Sequence, residues 1–362
     1  MKAAVCRQFG TDLRIEEVDL APPGPGELEV TLAACAICHS DIHYAEGAWG
    51  GQLPAVYGHE AAGRVSAVGP GVELAVGDHV VVTLIRSCGE CDYCASGATV
   101  FCETPFELDA HGPLQAADGE AVHQAMRTGA FAERVVVHAS QVVRVPADLP
   151  LDVASLLACG VITGVGAVTN SSSVAEGSQV VVVGTGGVGL NAVQGAALVG
   201  ADPIIAVDLS AAKLEAALRF GATHTVDAAE ADAAARVRDI TGGRGATHVL
   251  VTVGSKPAIE SAFDYLRPGG ELIIVGMPAS GVVAEFDPNE VASRGLRIVG
   301  SKMGAAQVGR DIPQLVERYR AGDLMLDELI SGRYRLERIN EAIASVRAGE
   351  AIRNVIVFGS EP

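Results

Sequence analysis

The residues best suited to chemistry in this chain are cysteines, and their spacing asks for an explanation. Eight cysteines occur, four of them as Cys88-x-x-Cys91-x-x-Cys94-x7-Cys102. Four thiolates in so short a loop match a closed tetrahedral zinc site. Iron–sulfur runs use similar spacings but usually place a proline after the last cysteine, and here Glu103 follows. A second set is scattered: Cys38 opens CHSD, His59 lies in GHE and Cys159 lies in LACGVITG. Two thiolates and one imidazole leave a fourth position on zinc open, which is the pattern of a catalytic metal. Cys6 and Cys35 lack such a context and read as buried thiols.

A glycine-rich run, Gly184-Thr-Gly186-Gly187-Val188-Gly189, follows a stretch of valines and opens a helical pattern. In that setting the glycines let the backbone and a helix N-terminus approach a pyrophosphate. Asp208 stands nineteen residues after Gly189, at the end of the next apolar run. Its carboxylate would accept hydrogen bonds from the adenosine ribose and repel a 2′-phosphate. Leu209 and Ser210 offer no arginine to such a phosphate, so NAD is expected over NADP.

The elements that must position these groups fall into two patterns. Residues 1–35 and 60–85 read as short strands separated by Gly/Pro turns, including APPGPGE at 21–27, which suggests a small β-barrel. Residues 103–129 show no periodicity and read as a long loop. From 178 onward strand and helix alternate. The strands are QVVVVG, PIIAVD, THTV, THVLVTVG, ELIIVG and LRIVG, and NAVQGAALVG and SAAKLEAALRFG are helical. Strands apolar throughout are buried on both faces, as in a doubly wound parallel sheet of α/β class. Helices at 312–322 and about 338–348 and a closing strand, NVIVFG, are expected to return to the N-terminal domain.

A chain of 362 residues suits about two domains. Its net charge of −18, without any Lys/Arg cluster, argues against nucleic acid or an anionic membrane surface as partner. The N-terminal MKAAVCRQFG has no signal-like apolar run, and no stretch approaches a membrane span. The expectation is a soluble cytoplasmic protein, where thiols stay reduced and metal binding rather than disulfides accounts for the cysteines.

Residues 38–60, 88–102, 159–164 and 180–213 resemble the zinc-containing medium-chain alcohol dehydrogenases, including their glutathione- or mycothiol-linked formaldehyde dehydrogenase branch. The similarity runs on to the closing AIRNVIVFG. It implies a GroES-like barrel as catalytic domain over 1–160, completed by 302–362, and a Rossmann domain over 161–301. Two zincs per chain follow, a catalytic one on Cys38, His59 and Cys159 and a structural one on Cys88, Cys91, Cys94 and Cys102. Ser40 falls beside the substrate oxygen and His43 at the end of a proton relay through the cofactor ribose. Asp41 and Glu60 fall on carboxylates behind the catalytic metal. His39 and Arg353 match contacts to the cofactor pyrophosphate, and Lys213 assists Asp208. Thr163, Val188 and Val275 to Met277 lie beside the nicotinamide, while Trp49, Leu84, Phe131 and Met277 are candidate walls of an apolar pocket.

The activity so implied is reversible NAD-linked oxidation of a small-molecule alcohol, a bulky hydrophobic or aromatic primary one by preference, to an aldehyde or ketone. A thiol-adduct formaldehyde dehydrogenase is the alternative, although Arg127 is the only basic residue in 103–129. A non-catalytic cofactor-binding protein on the same fold would break the zinc triad or the relay, and both are intact here. The long segment 103–129 resembles that of the dimeric branch, so a homo-oligomer is expected, with a dimer favoured.

Overall fold

In the computed structural model, which describes residues 1–359, the strand Glu27–Ala36 turns Leu28, Val30 and Leu32 inward and Glu27, Glu29 and Thr31 outward. This is the period of two that a sheet with one buried face demands. The strand belongs to a seven-stranded sheet ordered Val142–Arg144, His79–Val82, Glu60–Val68, Glu27–Ala36, Arg353–Val357 and Ile330–Arg335, with Arg134–His138 also paired to Glu27–Ala36. Lys2–Cys6, Arg14–Leu20, Leu114–Ala116, Ala121–Gln124 and Ala55–Val56 form a closed barrel. One apolar core, with Val5, Leu28, Val65, Phe131 and Ile356 among its members, serves all of these strands. They make up the unit Met1–Cys159 plus the chain from Gln307 onward.

Register decides which residues meet in this unit. Ala36 pairs with Glu60 on one side and Val355 on the other, and Ile37 N donates to Asn354 O at 2.9 Å. Three strand ends from distant parts of the sequence therefore bring Cys38, His59, Glu60 and Arg353 to one place. The closing strand sits between Ile330–Arg335, to which it is parallel, and Glu27–Ala36, to which it is antiparallel.

Residues 103–129 are not the loop that their aperiodic sequence suggests. Leu114–Ala116 and Ala121–Gln124 pair as an antiparallel hairpin inside the closed barrel, after a short helix at Glu107–Ala110. The strands are too short for alternation to register, yet Asp118-Gly119 between them, with Gly119 at φ 89°, is a hairpin signal. Arg86 anchors the segment. It is fully buried and donates to Asp109 Oδ1 at 2.9 Å, Gln141 Oε1 at 2.7 Å and Arg127 O at 3.3 Å.

The unit Gly160–Ala306 holds a parallel sheet ordered His224–Asp227, Ile204–Asp208, Val180–Val183, Ala246–Val251, Leu266–Ile274 and Arg297–Gly300. Numbered along the chain, that is the order 3-2-1-4-5-6 of a Rossmann fold. Val180 to Val183 are all buried, with a parallel strand paired on each side, and each buried valine contributes about 1.5–3 kcal/mol. The helix expected from 191 begins earlier, at Gly187, inside the glycine run. The chain returns to the first unit at Gln307 rather than 302, because the turn after the last strand packs on the helix Gly160–Thr169. No single helix among the described residues is long and apolar enough to cross a membrane.

One buried histidine makes this unit acid-sensitive. His248, 7% exposed, faces Thr247 Oγ1 through Nδ1 at 2.8 Å and Ser173 Oγ through Nε2 at 3.1 Å. Burial pushes its pKa below 6.5; Glu271 opposes the shift, and Arg267 and Arg297 add to it. The folded chain therefore binds this proton less readily than the unfolded one. Its contribution is complete above about pH 6.5 and becomes a loss of stability as the pH falls below that value. Urea midpoints at about pH 7.5 and about pH 5.5 should differ less for His248→Asn than for the wild type. An equal difference would assign the acid sensitivity to other groups.

Candidate metal centres and dinucleotide site

Cys38 ends the connection out of the strand Glu27–Ala36 and caps the helix His39–Ala45, where its N–H donates to Asp41 Oδ2 at 3.0 Å. Asp41 Oδ1 takes two more donors, Gly58 N–H at 2.9 Å and His59 Nδ1 at 2.8 Å. The imidazole is thereby oriented, and its Nε2 is buried with no protein partner among the described residues. The ligand atoms of Cys38, His59, Glu60 and Cys159 lie within 4.8 Å of one another, and all four residues are buried. An orphaned buried polar atom costs about 1–3 kcal/mol. Beside two sulfurs, that nitrogen fits a borderline-soft divalent cation such as zinc.

The electrostatics of this cluster are strongly coupled. A hydrogen bond from Cys159 holds the Cys38 thiol well below its ordinary range, and the same contact pushes Cys159 up. Burial opposes a charge on His59, but Asp41 and Cys38 together outweigh it and raise the imidazole. Burial lifts Glu60 to about 7 against the pull of Arg353, whose Nη1 stands 3.1 Å from Glu60 Oε1. Arg353 is 4% exposed. It also donates to Ile37 O at 3.2 Å, and its Nη2 has no partner among the described residues.

Cys88, Cys91, Cys94 and Cys102 form the other group, again with ligand atoms within 4.8 Å of one another. Cys88 Sγ and Cys94 Sγ are 3.9 Å apart, and Cys91 Sγ and Cys102 Sγ are 4.0 Å apart. These are far too long for disulfides and close to the ~3.8 Å edge of a tetrahedron with ~2.3 Å zinc–sulfur bonds. Thr104 Oγ1 donates to Cys88 Sγ at 3.1 Å, and the N–H groups of Cys91 and Glu90 do so at 3.2 and 3.4 Å. Those donors, the Thr104 hydroxyl first, bring Cys88 down to about 6.

In the other unit, a Cβ at Gly189 would lie 1.9 Å from Gly184 O, so only glycine permits the turn between the strand Val180–Val183 and the helix Gly187–Leu198. Gly186 caps that helix and Val188 lies in its first turn. Asp208 ends the next strand. Its Oδ2 accepts from Thr185 N–H at 2.7 Å and Thr185 Oγ1 at 3.2 Å, and its Oδ1 accepts from Ser210 N–H at 3.0 Å. A carboxylate has about four lone-pair sites, so Oδ1 keeps one for a ligand hydroxyl. Lys213 is half-buried in the first turn of Ala211–Arg219, with its N–H on Ser210 Oγ at 3.4 Å. Sequence reasoning passed over Thr185 and also Thr252, whose Oγ1 donates to Gly184 O at 2.5 Å. A hydroxyl residue inside the glycine run and another at a strand end were the available signals.

The remaining predicted positions are distributed as follows. Ser40 and His43 are half-buried and lie three residues apart on the helix His39–Ala45, which places them on one face. His39 is exposed. Trp49 packs on His43 at 5.2 Å and edge-on to Tyr44 at 5.0 Å. Leu84 is half-buried beyond the strand His79–Val82. Phe131 is corrected: with 0% exposure it lies in the apolar core, and a side chain without accessible surface lines no open pocket. Thr163 is buried, with Oγ1 3.8 Å from Met303 Sδ. Val275 is half-buried, whereas Met277 is 61% exposed. Beyond the last parallel strand, Met303 and Ala305 adopt φ of 50° and 47°, a left-handed conformation costing about 1–2 kcal/mol per non-glycine residue that no sequence pattern announced.

Comparison with known proteins places these sites in a family. Residues 24–147 match the alcohol dehydrogenase GroES-like domain, and residues 187–320 match the zinc-binding dehydrogenase family. The chain is 38% identical to an NDMA-dependent alcohol dehydrogenase of Amycolatopsis methanolica, covering 99% of both chains. It is 37% identical to a geraniol dehydrogenase of Castellaniella defragrans, covering 99% of this chain and 97% of that one. Among solved structures, the benzyl alcohol dehydrogenase of Acinetobacter calcoaceticus superposes with a TM-score of 0.91 at 32% identity, over 99% of each chain. Similarity of this extent makes the chain a member of the zinc-containing medium-chain alcohol dehydrogenases.

Proposed function

We propose that the chain catalyses reversible NAD-linked oxidation of a hydrophobic or aromatic primary alcohol, with two zincs per chain. The observation that carries this reading is His59, whose Nδ1 is fixed by Asp41 while Nε2 stands unpartnered in a buried cluster with Cys38 and Cys159. When bound, zinc supplies a Lewis acid for the substrate oxygen and the dinucleotide supplies the hydride acceptor. Asp41 keeps the imidazole in the tautomer that presents Nε2. Ser40 can both accept and donate, so its hydroxyl takes the alcohol proton as it gives up its own. His43, on the same helix face, is the group from which the proton leaves. Asp208 holds the adenosine ribose and excludes a 2′-phosphate.

The substrate class rests on the apolar candidates Trp49 and Leu84 and on relatives named for geraniol and benzyl alcohol. Arg127 Nε lies 3.7 Å from Asp109, so the one basic residue of 103–129 already has a counter-ion and recommends itself poorly for a thiol adduct's carboxylate. The deciding assay is a panel of benzylic, allylic and short-chain alcohols with NAD and NADP, run with and without NDMA, together with formaldehyde with and without glutathione or mycothiol. Turnover only of the thiol adduct would defeat the proposed substrate class.

Three further outcomes are expected. Elemental analysis should give about two zincs per chain, and Asp41→Ala should bind the metal of the His59 site about 10–100-fold more weakly; full retention would show that the carboxylate does not support the ligand. Ser40→Ala should lower kcat about 100-fold or more at every pH, whereas His43→Gln should slow oxidation mainly near neutrality, where hydroxide is scarce. Near-wild-type turnover by Ser40→Ala ends the relay. Asp208→Gly should weaken NAD and admit NADP, and a wild type that uses both cofactors equally would remove Asp208 from that role.

A further inference from the structure

The turn Met303–Ala305 holds three consecutive left-handed residues, at φ 50°, 62° and 47°, of which only Gly304 is a glycine. It is clamped from one side. Asn170 Nδ2 donates to Gly304 O at 3.1 Å, Ser171 Oγ and Ser301 Oγ are 2.8 Å apart, and Thr163 Oγ1 stands 3.8 Å from Met303 Sδ. Thr163 lies in the helix Gly160–Thr169, and Asn170 and Ser171 follow it directly. At the centre of the contact backbone meets backbone: a Cβ on Gly166 would lie 2.5 Å from Gly304 O, and one on Gly304 would lie 2.5 Å from Ile162 O.

The same helix is locked along a second seam. A Cβ on Gly164 would lie 2.4 Å from Val188 O, and one on Gly195 would lie 3.1 Å from Val165 Cα. These contacts fix it against the helix Gly187–Leu198, which opens in the glycine run. One wedge therefore sets the distance between that helix and the turn. The turn in its turn leaves the carboxyl end of the strand Arg297–Gly300, the edge at which doubly wound sheets hold their ligands.

We propose that Gly166 and Gly304 are positioning residues for the nicotinamide half of the dinucleotide. Their contact registers the turn Met303–Ala305 against Thr163 and so sets the orientation of the ring for hydride transfer. The inference rests on the reading of this unit as the NAD site. The adenosine half is held by Asp208 and the glycine run, so a shift of the turn leaves it undisturbed. A left-handed turn of non-glycine residues relaxes once its surroundings cease to impose it.

The experiment compares binding of NADH with binding of ADP-ribose, which lacks the nicotinamide, and adds kcat for the zinc-loaded enzyme. Gly166→Ala inserts a methyl into the seam, and Asn170→Ala removes a latch without inserting an atom. Gly166→Ala should keep ADP-ribose affinity within about twofold and lose about tenfold or more in NADH affinity or kcat, since a misplacement of about 1 Å can cost about a hundredfold. Asn170→Ala should move the same quantities in the same direction by less, and it decides alone should Gly166→Ala fail to fold. Equal losses for NADH and ADP-ribose, or no loss for either, overturn the inference. A wild type that binds neither compound overturns the NAD reading instead.

Discussion

The carboxylate of Asp41 is the constraint on which the rest of the candidate metal centre depends. It is almost fully buried, where an isolated charge is prohibitively expensive. It is tolerated because it accepts from Cys38 N–H, Gly58 N–H and His59 Nδ1 at once, and such charge-assisted bonds are about twice as strong as neutral ones. The three donors come from a helix start and from a strand entrance some twenty residues later. One buried anion therefore joins two chain segments, sets the position of Cys38 and leaves Nε2 as the uncommitted nitrogen of His59. The sheet supplies the coarse geometry through Ala36, which pairs with both Glu60 and Val355.

Much of this was legible in the sequence, because ligand chemistry imposes narrow choices of residue type. Four sulfurs at Cys88 to Cys102 can hardly be arranged otherwise in a short loop, and the structure brings all four together. The valine run before Gly184 announced a strand buried on both faces, and the six strands from Val180 to Gly300 all formed in one parallel sheet. Cys38, His59 and Cys159 were each weak signals alone. They gained weight together, as two thiolates and one imidazole beside a four-cysteine loop and a nucleotide fold, since nothing local in the sequence encodes the register that unites them.

What the sequence concealed shares one physical feature: tertiary contacts override local preference. The hairpin Leu114–Ala116/Ala121–Gln124 is too short for its alternation to be read, and the buried Arg86 rather than local propensity holds its segment in place. Phe131 is a candidate pocket wall by type, yet it is packed within the apolar core of the first unit. The left-handed Met303 and Ala305 contradict the preference of their own side chains. Only a helix whose glycines admit the turn's backbone makes that conformation the best one available.

Charge balance shows why these buried groups occur together. Asp41, Glu60, Cys38 and Cys159 bring up to four negative charges into one buried region, against Arg353 and at most one on His59. Separate burial of so many charges is untenable. Glu60 and Arg353 neutralise each other at 3.1 Å, and Asp41 is satisfied by its three N–H donors. That leaves two thiolates, whose combined charge a single divalent cation cancels while the neutral face of His59 completes the ligand set. A bound divalent cation would displace protons from sulfur and imidazole, and the cation with its two thiolates and one neutral imidazole would carry no net charge. A cation so held would keep its fourth position for a ligand oxygen while adding no net charge to the buried region.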